Sequence, residues 1–513
     1  MIIGRFRYWR WPLLGSLALA AWILFNFWSL EDYVVPSCDE AFYSSAAHTT
    51  LTTGRFGLPI FHNMLGFEES YIGHGRLITF GQAIVQLFFG PTLFSARLFS
   101  LLGASVIVSS IFALASLLYN RRVAVWAALL TAVDWAVFMQ SHYGRPDIWV
   151  AAAAVFDLYL VFRLARQPTS RRAFVTGFFV ALLPDIHLNG LHAIVGLSVV
   201  TAYWLLVERR AWKQFLFYGL GGGLGAAYFA LVHLFPDPAL AVTQYQMYFR
   251  PVYGTYSASP LTTRLLDLAI WLFHSYATSF SGLSAVLALV YAPGIALAIA
   301  QPERKVSWLV LVFTLTSLAS FGIVNIFKLD YYAVIWRPAL ILLGVAGLLW
   351  GFDHPKLAEW LPPVLQRRVS LGLLGGLLGI LIAGNVYLAV KFSNTNYADY
   401  VANLRQFIPA GSKVMADEFL WYGLNDHQFT TTIYPLWAYG PLGHNMPFRD
   451  FARQQIVEVA PGYIVLDPTL GCTSTAYDVS NMFVDLVSHM CRPVGSVPSA
   501  SLGTSTVYCC QCH

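Results

Sequence analysis

Charged side chains are what this chain has least of. Asp, Glu, Lys and Arg make up 11% of its 513 residues, against roughly 25% in a soluble domain. That scarcity excludes an ordinary water-soluble fold. The formal net charge is only +5, and the basic residues sit at the edges of apolar runs instead of forming a patch, which argues against nucleic acid as a partner. The chain has no Walker loop, no Gly-x-Ser-x-Gly elbow and no His-Glu-x-x-His, so nucleotide-driven and hydrolase chemistry have no motif behind them. It also lacks low-complexity segments and clear internal repeats. Cysteine is nearly absent. After Cys38 the next is Cys472, and Cys491, Cys509, Cys510 and Cys512 crowd the end.

What the chain does have is apolar length. Hydrophobic residues are 57% of it, the composition of a polytopic membrane protein. Eleven apolar runs read as candidate spans: 11–30, 97–119, 123–141, 147–165, 173–189, 190–207, 214–235, 280–300, 306–326, 332–351 and 370–391. The run after Arg5, Arg7 and Arg10 is too long, and too poor in cleavage signal, for a signal peptide; it reads as a retained first span with its basic end in the cytoplasm. With eleven spans, the groups Arg121-Arg122, Arg166 with Arg171-Arg172, Arg209-Arg210-Lys213, Arg304-Lys305 and Lys356 with Arg367-Arg368 all fall on the cytoplasmic side. The polar loops then share the opposite face. The expected class is a polytopic α-helical membrane protein with a membrane domain over 1–391 and a small α/β extracytoplasmic domain over 392–513.

The first outer loop, 31–96, is too long for a linker. Its stretches 41–53 and 77–89 read as helices lying in the membrane interface, the second with a true span as its alternative. In the tail, a helix over 396–408, strands over 413–416 and 463–466, helices over 448–458 and 477–489 and one or two late strands alternate, as in an α/β domain. The run Gly219 to Gly225 resembles a dinucleotide loop, but it lies inside an apolar run and reads as close helix packing. The Cys509-Cys510-Gln511-Cys512-His513 ending reads as disulfide-forming more than metal-binding.

Against this background the polar motifs stand out, because ionisable groups at a membrane boundary mark function by default. Asp39-Glu40 follows the first span. It can supply a general base for an incoming hydroxyl, or simply cap a helix. His142-Tyr143-Gly144-Arg145-Pro146-Asp147 places an Arg on the outer face, where paired N–H donors can pin a phosphate; Asp147 is equally suited to begin a helix. The turn Asp185-Ile186-His187-Leu188-Asn189-Gly190-Leu191-His192 reads as cavity lining, with a divalent metal, held with help from Asp39, Glu40 and Asp147, kept open as a cofactor. Lys328, Asp330, Tyr331, Tyr332, Trp336 and Arg337 form a basic-aromatic turn that suits a lipid phosphate, or ordinary interfacial anchoring.

The order of these motifs resembles the GT-C glycosyltransferases. The residues that carry the resemblance are Asp39-Glu40-Ala41-Phe42-Tyr43 after a first span, Phe89-Gly90-Pro91 and Ser95-Ala96-Arg97-Leu98-Phe99-Ser100 at the end of the loop, the Arg121-Arg122 turn, Arg145-Pro146-Asp147 and the Lys328–Pro338 stretch. The likeness covers about 10–350. It is similar to the bacterial branch related to protein O-mannosyltransferases and to the aminoarabinose transferase of lipid A. The resemblance implies inverting transfer of a sugar from a polyprenyl-phosphate carrier to a glycan, lipid or protein acceptor outside the cytoplasm of a bacterial inner membrane, among membrane lipids. It implies Asp39 as base, Glu40 beside it holding acceptor or sugar, Asp147 with Arg145 on the acceptor side, and Lys328 with Arg337 at the carrier phosphate; Tyr43, His142, His187 and Tyr331 are further substrate-binding candidates. One departure is evident. Where the family carries a Lys-Pro-Pro-Leu type segment, this chain reads Tyr71-Ile72-Gly73-His74-Gly75-Arg76-Leu77, so His74 and Arg76 stand in for the basic group. The competing readings are a transporter or flippase of lipid-linked saccharides, disfavoured by the missing repeats, and a non-enzymatic envelope assembly subunit.

Overall fold

The structure is a computed structural model that describes residues 17, 20–62, 64–73, 75–249, 259–275, 283–301, 305–325, 329–355, 359–393, 396–432, 446–467, 477–499 and 503–512. A bundle of apolar helices leads into a five-stranded sheet domain at the carboxyl end. Six helices are long and apolar enough to cross a membrane: Leu93–Leu118, Asp147–Arg166, Gly190–Glu208, Trp212–Leu234, Lys305–Val324 and Pro363–Lys391. The pair Arg121–Ala132 and Trp135–Ser141, bent by 55°, makes a seventh if it is one broken span and not a re-entrant loop. The expected count of eleven is therefore corrected to six or seven among the described residues. Hydropathy counts apolar residues, whereas crossing needs about 20 of them in one helix. The 173–189 run breaks into Ser170–Leu182 and a 3-10 turn around Pro184. The 332–351 run starts its helix only at Arg337, for 16 residues. Of the 11–30 run, residues 11–16, 18 and 19 lie outside the described residues.

The bend at Asp134 has a hydrogen-bond cause. Asp134 Oδ1 accepts from Ala136 N at 3.0 Å and Val137 N at 3.2 Å, capping the second half-helix. Asn385 Nδ2 donates to the Val133 carbonyl at 2.8 Å. Side chains thus satisfy the backbone groups that a break in a membrane helix frees. The glycine run packs as expected: Ser170–Leu182 and Trp212–Phe229 approach so closely that a Cβ on Gly177 would collide with the Tyr218 carbonyl, and one on Gly221 with the Phe174 carbonyl, while Gly219 and Gly223 face open space.

The two loop helices part company. Arg76–Phe89 has 14 residues, about 21 Å of helix, too short to cross, and it exposes Phe80, Ile84, Leu87 and Phe88. Cys38–Thr53 does not lie on an interface. Ala41, Phe42, Tyr43, Ala46 and Ala47 are buried, and the helix shares a core with Phe61, Phe67, Phe419, Leu420 and Trp421. Its Ala-Phe-Tyr-Ser-Ser-Ala-Ala run has no charged face to give to water, so protein covers it.

In the sheet domain, β1 (Lys413–Ala416), β2 (Gln428–Thr431), β3 (Tyr463–Leu466), β4 (Arg492–Ser499) and β5 (Gly503–Cys509) lie in the order β2-β1-β3-β5-β4. β1 pairs in parallel with β2 and β3, and β5 antiparallel with β3 and β4. The short β2 escaped the sequence reading. Disulfides join Cys491 to Cys510 and Cys509 to Cys512, and Cys38 is also disulfide-bonded. Asp417 directly follows β1 and Asp467 follows β3, which gathers buried acids at one end of the parallel strands.

Two outcomes follow from this packing. Gly221→Val should destabilise the detergent-solubilised protein by the ~1–3 kcal/mol of forced overpacking, read as a lowered melting midpoint, whereas Gly223→Val should leave it unchanged. Burial and the neighbouring Asp467 charge push Asp417 up to about 7, and burial with Asp417 raises Glu418. The folded state then holds protons that the unfolded chain releases near pH 4. That contribution is complete below pH 4 and is lost as pH rises through 7. Melting midpoints should fall between about pH 4 and 7, and Asp417→Asn should flatten the slope over that window.

Candidate active site

Helix Cys38–Thr53 opens with a capping box, in which Ser37 N donates to Glu40 Oε2 at 2.7 Å. This fixes the first turn and sends its two acids in different directions. Glu40 points into protein and is fully buried. Its Oε1 accepts from Arg97 Nε at 3.0 Å and from Gly144 N at 2.7 Å, and its Oε2 from Arg97 Nη2 at 3.2 Å. Arg97 spends its other donors on the carbonyls of Leu30, Tyr33 and Val34. Asp39 points the other way, its side chain 36% exposed, and ion-pairs with Arg145 Nη1.

Arg145 is the centre of the exposed side. Its Nε donates to Asp147 Oδ2 at 2.9 Å, and its guanidinium carbon lies 4.0 Å from the centroid of the Tyr331 ring. Asp147 is fully buried, and its Oδ1 has no hydrogen-bond partner among the described residues. A buried carboxylate oxygen left open is costly and suits a ligand hydroxyl. Tyr43 sits one helical turn beyond Asp39, buried; burial, with Asp147 and the Tyr71, Tyr332 and Tyr331 phenols nearby, raises its pKa strongly and keeps it a neutral donor. The 3-10 turn Asp330–Ile335 delivers Tyr331 and Tyr332, whose rings meet at 4.6 Å. Burial, then Asp147, pushes Tyr332 up to about 12. His187 is lowered by burial, with Asp147 opposing and Arg145 adding to the shift, so it is a neutral imidazole; its Nδ1 accepts from Asn189 N at 3.1 Å.

Asp39, Tyr43, Arg145, Asp147, His187 and Tyr331 thus come together. Four other candidates do not join them. Glu40, expected at the substrate, is consumed by Arg97 and two backbone amides. Arg337, expected at a phosphate, is fully buried against Asp134, with Nη2 to Oδ2 at 2.7 Å and Nε to Oδ2 at 2.9 Å. A guanidinium inside a membrane bundle has to be paired, and the capping Asp134 is its partner. His142 turns inward, with Nδ1 2.8 Å from the Phe138 carbonyl and Nε2 2.9 Å from Ser29 Oγ. Arg76 shapes the loop, donating to Ser70 Oγ at 2.9 Å and stacking 4.4 Å from the Phe56 ring centroid. Its backbone N and that of Leu77 donate to Asp185 at 3.0 and 3.1 Å, so Asp185 caps that helix. His192 bonds Ser320 Oγ at 3.0 Å. His74 and Lys328 lie outside the described residues. Arg97 was quoted only as part of a pattern. Its signal was plain, since it is the sole charge in the 26-residue helix Leu93–Leu118.

Because the Glu40–Arg97 pair is wholly buried, Glu40→Gln should cost ~3–5 kcal/mol by leaving Arg97 uncompensated. Glu69→Gln, which breaks the exposed Arg55–Glu69 pair, should cost under about 1 kcal/mol. Thermal or denaturant unfolding of the two variants checks the contrast.

A family model described as dolichyl-phosphate-mannose-protein mannosyltransferase matches residues 74–235, a stretch that begins after Asp39. The undecaprenyl phosphate-alpha-4-amino-4-deoxy-L-arabinose arabinosyl transferase 2 of Pseudomonas fluorescens is 28% identical over 230 residues, covering 41% of this chain and 37% of the relative. The corresponding enzyme of Pseudomonas aeruginosa is 29% identical over 212 residues, 40% of this chain and 37% of its own length. These matches therefore span little more than a third of those relatives. Among solved structures, ArnT from Cupriavidus metallidurans bound to undecaprenyl phosphate aligns over 97% of both chains with a TM-score of 0.66 at 14% identity. The Archaeoglobus fulgidus oligosaccharyltransferase in complex with Zn and sulfate aligns over 96% of this chain and 72% of its own, with a TM-score of 0.63 at 14% identity. The chain has the fold of the GT-C membrane glycosyltransferases and is related to their aminoarabinosyl- and mannosyltransferase members.

Proposed function

We propose that this chain is an integral membrane glycosyltransferase that moves a sugar from a polyprenyl-phosphate carrier to a lipid, glycan or protein acceptor on the extracytoplasmic face, with inversion. The observation that carries the reading is the Asp39–Arg145–Asp147 constellation beneath Tyr331, with one exposed carboxylate and one buried open oxygen flanking a single guanidinium. Asp39 takes the proton of the acceptor hydroxyl or amine as that group attacks the anomeric carbon. The new glycosidic bond forms as the bond from the anomeric carbon to the phosphate oxygen breaks, and the electron pair leaves with the polyprenyl phosphate. Arg145, with Lys328 as the second cation, offsets the charge growing on that phosphate. Asp147 Oδ1 receives a substrate hydroxyl, Tyr43 and Tyr331 donate neutral hydrogen bonds, and His187 lines the site.

The orientation has support in the bundle. Helix Asp147–Arg166 spans 20 residues, about 30 Å, with the site at its start. At its far end Arg166 reaches the Leu117 carbonyl, near the Arg121-Arg122 cluster. Basic ends favour the cytoplasm, which supports a cytoplasmic amino terminus with the site and the 392–513 domain outside. Oxygen donors for a divalent cation are present: Asp417, Glu418 and Cys38 offer atoms within 4.8 Å of one another. Cys38 is disulfide-bonded and is no thiolate ligand, so the two carboxylates are the donors that fit. Between Asp39 and Asp147 the Arg145 guanidinium already supplies the positive charge.

Purified protein given a polyprenyl-phosphate sugar and an acceptor should release polyprenyl phosphate. Asp39→Asn should cut that release by ~10²–10⁴-fold with an unchanged melting midpoint. Undiminished turnover in the folded variant overturns the base assignment.

A further inference from the structure

A cleft lies on the other side of the helix that carries Asp39. Its volume is about 360 Å³, and the helix, the 59–62 loop and the sheet domain all contribute to its walls. Ser45, His48 and Thr49 fall on one helical face. His48 is nine residues from Asp39, about 14 Å along the axis and half a turn round, so the two sites do not share a wall of the helix.

The lining has a definite chemistry. Lys413 brings a cation and His48, His62 and His427 bring hydrogen-bonding nitrogens, with burial keeping His48 neutral, beside the carboxylate of Glu458. Trp421 adds an apolar wall and meets His48 edge-on, with ring centroids 6.0 Å apart. His427 is nine-tenths buried, and its Nδ1 has no hydrogen-bond partner among the described residues; its Nε2 lies 3.8 Å from Asp426. A buried imidazole nitrogen without a partner carries a desolvation cost that a ligand oxygen would relieve. The histidines do not form a metal site: among the described residues the group with metal-ligand spacing is Cys38, Asp417 and Glu418. Basic nitrogens beside an indole, in a cleft of small-ligand size, fit a ring that carries both hydroxyls and a negative charge.

We propose that this cleft is a second saccharide-binding site, separate from the transfer site, that takes an anionic sugar unit, carboxylated or phosphorylated. Lys413 and His427 hold the anion, and Trp421 faces the ring. The assignment does not depend on the transfer reaction, because binding is read directly.

The experiment is calorimetric titration of the full-length protein in detergent with glucuronate, glucose 6-phosphate, glucose and inorganic phosphate. Both anionic sugars should bind saturably, and glucose and phosphate roughly tenfold or more weakly by comparison, the loss expected when a charged or ring contact is missing. Lys413→Ala, at an exposed strand position, should weaken binding about tenfold without a folding penalty. His427→Ala should act in the same direction, and Asp39→Asn should leave binding intact. Phosphate binding as tightly as glucose 6-phosphate would reduce the cleft to a plain anion site and overturn the proposal. So would an absence of saturable binding, or binding abolished by Asp39→Asn and kept by Lys413→Ala.

Discussion

The buried pair of Glu40 and Arg97 is the constraint on which the rest of the site depends. Two unit charges with no exposure survive in a protein interior only if every donor and acceptor is met. Meeting them gathers four parts of the chain. Arg97 brings the Leu93–Leu118 helix, the carbonyls of Leu30, Tyr33 and Val34 bring the end of the first apolar run, and Gly144 brings the turn that carries Arg145 and Asp147. Gly144 has to be glycine, because a Cβ there would lie 2.9 Å from the Ala96 Cβ.

Once that pair is set, the exposed side follows. Neighbouring residues on a helix point about 100° apart, so a Glu40 turned into protein leaves Asp39 turned outward, where its side chain is partly exposed. Arg145 then lies between Asp39 and Asp147 and under Tyr331, held on three sides. An exposed carboxylate and a buried open carboxylate oxygen are thus fixed around one guanidinium before any ligand arrives, and such preorganisation is how positioned charges act most strongly.

The sheet domain is a clamp on this arrangement more than an appendage. Tyr422 Oη and Ser44 Oγ meet at 2.9 Å, Thr431 N donates to the Ile60 carbonyl at 3.0 Å, and Phe419, Leu420 and Trp421 complete the core around Cys38–Thr53. The same contact leaves a polar cleft on the far side of that helix. One helix therefore faces two chemically different spaces, an acid–guanidinium site at its first turn and a histidine-lined cleft two to three turns on.

Much of this was legible from residues alone. Apolar runs announced the helices, the glycine run announced close packing, short alternating segments announced β1 and β3, and rare carboxylates after a span marked Asp39 and Asp147 as candidates. These are local signals, carried by periodicity and by the cost of charge at a membrane. What the sequence could not disclose was which charge pairs with which. Arg337 and Asp134 are 203 residues apart, as Glu40 and Arg97 are 57 apart, and nothing local separates an arginine that meets a phosphate from one that neutralises a buried acid. Span count failed for a related reason, since hydropathy is a sum over residues while a helix ends where a proline or a tertiary contact ends it. β2, four residues long, gains its strand character from pairing with β1. The sequence by itself determined that the chain is a multi-pass membrane protein with acids gathered near its polar loops. The tertiary structure alone decided which of those acids is exposed and which is buried in an ion pair, because burial and partner choice depend on atoms far along the chain.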